Sequence, residues 1–167
     1  VTRFVFRLHE VGNVLAGSVF HPLSAAPALL PAFRAFAADA PDECTLLLPF
    51  LTAPPAPFLP AHVHGTPIVA LAWCWSGDPA RGEQALAPLT AFGQPLGRVG
   101  GLMPYAAWQQ TFDSHAAAGD CYYWTTSQFD ALDDAVIDVL VSRAAASADP
   151  LCEVHVHHLG GAVEIGR

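Results

Sequence analysis

Residues 152–161, CEVHVHHLGG, gather Glu153, His155, His157 and His158 ahead of a pair of glycines. Neutral imidazoles ligate metals and exchange protons near neutral pH, and a carboxylate beside them serves as ligand, base or hydrogen-bond acceptor. Successive side chains on a strand point to opposite faces, so Glu153, His155 and His157 share one face while Cys152, Val154, Val156 and His158 share the other. Two imidazoles and a carboxylate in that pattern suit zinc or iron. A complete site needs a further ligand, and His9, His21, His62, His64 and His115 stand at no diagnostic spacing from the group. The pattern therefore favours a polar sheet face, without metal, that meets water, a ligand or another domain.

Other chemistry-bearing residues are less specific. His62 and His64 form a second His-x-His pair inside a proline-rich loop, with no acid or cysteine nearby to complete a site. Tyr105, Gln109 and Asp113 recur every four positions along one side of an expected helix, where anchoring hydrogen bonds are a better account than ligand binding. Trp73, Trp75, Tyr122, Tyr123 and Trp124 read as core or interface aromatics. No G-x-G-x-x-G, G-x-x-x-x-G-K-[ST] or G-x-S-x-G occurs, so no phosphate cradle of those types and no nucleophile elbow is present.

The elements that must hold these residues follow from periodicity. Phe4, Phe6 and Leu8 alternate with Val5, Arg7 and His9 as in a strand, and VLAGSVFHP after Gly12-Asn13 predicts a second strand, paired with the first as neighbour or hairpin. Ser24 precedes Leu29, Leu30, Phe33, Phe36 and Ala37, one face of a helix that ends near Ala40 and Pro41. CTLLLPF is a third strand, and Pro54, Pro55, Pro57 and Pro60 force an extended loop after it. TPIVALAWCWSG is apolar on both sides, as a covered central strand should be, with Trp73 and Trp75 on one face and Ala72 and Cys74 on the other. A helix over 79–91, a glycine-broken connector over 93–101 and a brief helix follow. CYYWTT predicts a strand, and Ser127 with Asp130 resembles a capping box opening a helix with the stripe Phe129, Leu132, Val136, Val139 and Leu140. LCEVHVHHL is a further strand, and AVEIGR starts another or continues it. Strands in adjacent pairs separated by helices imply an α+β domain: an antiparallel β-sheet with helices packed on one face, its other face wet or forming a cavity or domain interface.

Composition narrows the classes. A chain of 167 residues suggests a single domain and can bury roughly two-thirds of its unfolded surface. At 53% hydrophobic and 13% charged it is unlike a disordered chain. A net charge of -8 and the lack of lysine remove the electrostatic footprint for nucleic acid or an anionic membrane. Pro, Gly, Asp or His interrupts every apolar stretch before bilayer length. Cys44, Cys74, Cys121 and Cys152 show no C-x-x-C spacing and read as reduced core thiols, which implies a cytoplasmic location. No charged and apolar leader precedes the opening alternation, so the chain reads as starting within an element.

Several segments, in order, resemble the substrate domain of berberine bridge enzyme-like FAD-linked oxidases of the vanillyl-alcohol oxidase superfamily: VTRFVFRLHEVG, HGTPIVALAWCWSGDPARGEQALAPL, MPYAAWQQTFD and HLGGAV. The resemblance covers nearly the whole chain. It implies that residues 1–167 are one substrate-binding domain of a larger flavoprotein, with the FAD-binding domain, the catalytic base and a C-terminal flavin-contacting segment outside it. It further implies FAD in the intact enzyme but none on this fragment, a small-molecule alcohol, sugar or amine as substrate, and Glu153, His155, His157 and Val163 facing the substrate cavity. Thr90 stands where relatives commonly carry arginine, and YYWTTS lacks a lysine often found before the serine, so substrate preference or domain contacts differ. The rival reading is a stand-alone α+β module that binds a small ligand, or a second copy of itself, through its exposed sheet.

Overall fold

The computed structural model describes residues 2–6, 10–115, 119, 121–147 and 149–160. Among these residues five strands form one antiparallel sheet in the order β4-β1-β3-β2-β5: β1 (Asn13–Pro22), β2 (Cys44–Thr52), β3 (Pro67–Trp75), β4 (Gly97–Pro104) and β5 (Val154–His157). The helices are α1 (Ala26–Ala37), α2 (Pro79–Thr90), the short α3 (Tyr105–Gln109) and α4 (Asp134–Ala146). The α+β class, the antiparallel sheet and its central strand β3 are as the periodicity predicts.

Alternation along the strands sorts the sheet into two faces. On the back, Leu15 and Val19 of β1, Leu46, Leu48 and Phe50 of β2, Val69, Leu71, Trp73 and Trp75 of β3, and Val156 of β5 meet Leu29, Leu30 and Phe33 of α1, Leu86 and Leu89 of α2, and Ile137 and Ala144 of α4. Leu29, Leu30 and Leu71 are fully buried, each contributing about 1.5–3 kcal/mol of hydrophobic stabilisation. Trp75 wedges beneath α2, where its Nε1 donates to the Asp78 carbonyl at 2.9 Å. Helix α2 approaches that closely because residue 82 is glycine: a Cβ there would stand 2.7 Å from the indole. Helix α4 is tied to α1 by Arg34, which donates to the Leu132 carbonyl at 3.0 Å and pairs with Asp134 at 2.7 Å.

The front is partly covered by the chain itself. Its centre is built from small residues, and Ala16, Ser18, Ala70 and Ala72 are buried. One end lies beneath the chain's own proline-rich loop, where Leu59 and Val63 pack on Phe20, Ile68 and Ala70. At the other end Trp108 of α3 and Met103 pack on Val14, Ala16 and Cys74. The described polar groups left for the front lie mainly on β5.

Several local expectations are overturned. Residues 2–6 carry no strand, and Phe4, Val5 and Phe6 are exposed; β1 finds its partners in β3 and β4. Alternation supplies a face, but a strand also needs a neighbour's hydrogen-bonding edge. The supposed connector over 93–101 contributes most of β4, whose Gly100 sits at φ 130°, with a would-be Cβ 2.3 Å from the Ala16 carbonyl oxygen. Glycine there serves close approach of two strands rather than a loop. Residues 121–126 form no strand. The cap of α4 is Asp133, whose carboxylate accepts from the Val136 amide at 2.8 Å, and the buried stripe runs through Ile137 and Ala144 while Phe129 and Val139 are exposed. After Gln109 the chain tightens to a 3-10 turn, Gln110–His115, so Tyr105, Gln109 and Asp113 do not continue one α-helical line. Cys44 and Cys74 are buried free thiols as read, whereas Cys121 and Cys152 are exposed. The AVEIGR strand lies outside the described residues.

Candidate functional site

Strand β5 is four residues long and, among the described residues, pairs with β2, setting Leu47 opposite His157, Leu48 opposite Val156, Pro49 opposite His155 and Phe50 opposite Val154. Val154 and Val156 face the core, and this fixes the alternation of the strand. His155 and His157 therefore face the front, over Pro49 and Leu47. Glu153, just ahead of the strand, joins them: its Oε2 lies 2.8 Å from His155 Nε2. The imidazoles of His155 and His157 are tilted neighbours with centroids 6.0 Å apart. The sequence thus brings Glu153, His155 and His157 together as alternation predicts; Val163 lies outside the described residues.

Trp124 completes the cluster. Its ring meets His155 edge to face at 6.2 Å, while the residue remains 70% exposed. Sequence reasoning assigned Trp124 to a strand in a core or interface. The available signal was an aromatic run followed by Thr125, Thr126 and Ser127, a composition that also suits a coil draped over a sheet.

Electrostatics differentiate the histidines. Burial, and then the charge His155 carries when protonated, hold the His157 pKa below the ordinary 6.5. At neutral pH His157 is an uncharged imidazole with a lone pair to offer. When His155 is protonated it forms an ion pair with Glu153. The group can therefore accept hydrogen bonds at Glu153 and His157 beside an aromatic wall.

His21, His62 and His64 do not join it. His64 Nε2 bonds the Leu59 carbonyl at 3.1 Å, consolidating the proline-rich loop, and His62 is exposed. His21 is buried on the back, edge-on to Phe92 at 5.9 Å. His9 lies outside the described residues. Among the described residues no three His, Cys, Asp or Glu side chains are grouped to hold a metal ion. A separate open cleft of about 480 Å³ runs along the end of β2 against the C-terminal end of α4, with Phe50, Ile68 and Val154 on its walls and Arg143 and Cys152 at its edges.

No family model matches the sequence. The chain is similar to an FAD-linked oxidoreductase of Dictyostelium discoideum, 24% identical over 166 residues, an alignment that covers 98% of the chain and 34% of the relative. The chain thus spans about a third of the length of that relative. Among the described residues, no helix is long and apolar enough to cross a membrane.

Proposed function

We propose that this chain is the substrate-side domain of an FAD-linked oxidoreductase of the berberine bridge enzyme-like kind, a part that shapes a substrate cavity while the flavin is held elsewhere. The observation that carries the reading is the end-to-end similarity, 98% of the chain against a third of an FAD-linked enzyme. The sheet supports it: helices seal the back, and the polar cluster of β5 lies on the front, where a second domain would close a cavity.

Among the described residues, several groups that could hold the dinucleotide of FAD are already engaged. A diphosphate calls for free helix N-termini, glycine-rich turns or unpaired guanidinium groups. Here α2 and α4 begin at the carboxylates of Asp78 and Asp133, Arg34 and Arg81 pair with Asp134 and Glu43, and Arg98 lies over the Trp73 ring. The flavin-binding part would come from other residues of such an enzyme. Glu153, His155 and His157 would bind and orient a small polar substrate, an alcohol, sugar or amine, whose carbon the flavin oxidises by accepting hydride.

The test is to express the full reading frame that contains these 167 residues, purify the product and record its absorption spectrum. Flavin bands, present as isolated or after incubation with FAD, are the expected result. A folded, colourless product that ignores FAD overturns the proposal and leaves a binding or dimerisation module in its place.

A further inference from the structure

We propose that the outer edge of β4 is an interface with a second copy of this chain, the two β4 strands pairing antiparallel about a two-fold axis at Gly100 so that the two sheets become one. The inference stands apart from the flavin reading, since it concerns a margin of the sheet and not a cavity.

Strand β4 is eight residues long and bonds β1 along one side; among the described residues no strand bonds its other side. Edge strands are ordinarily guarded by charged side chains, by proline or by a covering segment. Here Val99 and Leu102 are 40% and 57% exposed, and Pro104 stands only at the far end. The lone charge of the strand, Arg98, is turned back onto its own chain, where the guanidinium donates to the Thr90 carbonyl at 2.9 Å and lies over the Trp73 ring.

The edge fits a copy of itself. Val99, Gly101 and Met103 stand opposite Ser18, Ala16 and Val14, and the Tyr105 amide keeps the same phase by donating to the Gly12 carbonyl at 3.1 Å. Odd-numbered residues therefore bond β1, and the backbone groups of Arg98, Gly100 and Leu102 are the ones aimed outward. Rotation about Gly100 sets Gly100 against the partner's Gly100 and Arg98 against the partner's Leu102. In that register Val99 falls on the front opposite the partner's Gly101, where a Cβ would meet nothing within 4 Å, so an exposed isopropyl group enters an open space. On the back, Leu102 lies along the aliphatic stem of the partner's Arg98.

Charge agrees with this choice of partner. Two chains of net charge -8 repel, and they meet at least cost where acids are lacking. Residues 89–112, which include β4 and α3, contain no Asp or Glu. A two-fold contact presents every feature twice, and this register brings no charged residue against its own copy.

The test is sedimentation velocity on the product of the full reading frame from about 1 to 100 µM, a range in which contacts of small area form and dissociate. A monomer–dimer equilibrium is expected. Leu102→Lys and Val99→Lys each bring a charge to the ladder twice over and should raise the dimer Kd at least about tenfold. Val139→Lys, on the exposed side of α4, should leave the Kd unchanged. Circular dichroism verifies that each variant is folded, and hydrogen exchange on the parent needs no variant: amides of residues 98–102 should exchange more slowly as concentration rises through the Kd. A parent that stays monomeric throughout, a dimer that folded Leu102→Lys or Val99→Lys leaves intact, one that Val139→Lys weakens equally, or exchange at residues 98–102 that ignores concentration overturns the interface.

Discussion

His21 is 1% exposed, its Nε2 is buried without a hydrogen-bond partner, and burial holds its pKa below 6.5. The unfolded chain therefore binds a proton that the folded chain refuses, and so stability rises with pH across this window and is lost as pH falls through and below 6.5. His157 acts in the same direction. His21→Leu removes the orphaned nitrogen and retains bulk; denaturant unfolding should show it equal to or up to about 1–2 kcal/mol more stable than the parent near pH 6, with a flatter pH dependence. A parent protein less stable at pH 7 than at pH 5 would contradict this account. How far single residues can be read from sequence differs by kind. The facing of His155 and His157 follows from alternation alone, because Val154 and Val156 can satisfy only a core. The burial of His21 did not, since its neighbour Phe92 lies seventy-one positions away in sequence and reaches it through α2. Trp124 was likewise misplaced, because an aromatic run has no direction until a surface exists for it to lie on.

Helix α2 shows how a local rule yields to packing. Alanine is a better helix former than glycine by about 1 kcal/mol, yet Gly82→Ala should destabilise the fold by about 1–3 kcal/mol because the new methyl meets the Trp75 ring. The measurement is urea unfolding, and a stabilised variant would show that the indole can move aside. At α4, Asp133→Ala should cost about 1 kcal/mol through loss of the cap on Val136, whereas Ser127→Ala, at the expected cap, should leave stability nearly unchanged. Ser127 and Asp133 are both residue types that cap helices well, and packing of Ile137 against the core favours the later start. Strands were legible wherever their side chains had to be apolar on both faces, as in β3. Strand β4 escaped notice because its pattern is dominated by glycines that admit the backbone of β1 rather than contribute apolar bulk.

Across the whole molecule, charge, helices and cluster are distributed unevenly. The back carries the large core and the arginine pairs; the front carries small buried residues and, at one margin, Glu153, His155 and His157. The α+β class was readable because helical and strand periods alternate along the chain, but the order β4-β1-β3-β2-β5 was not, since neighbours in that sheet are set by burial of faces and not by adjacency in sequence. The order also governs assembly during synthesis. Strand β2 emerges from the ribosome roughly a hundred residues before β5, a gap of about 5–20 s at ordinary translation rates. Until β5 arrives, the outer backbone of CTLLLPFLT stays unpaired, an apolar and uncharged template of the sort that recruits like segments from other nascent chains. The strand that bears the histidines thus also closes this edge, so truncation ahead of Glu153 should yield inclusion bodies rather than a merely inactive protein.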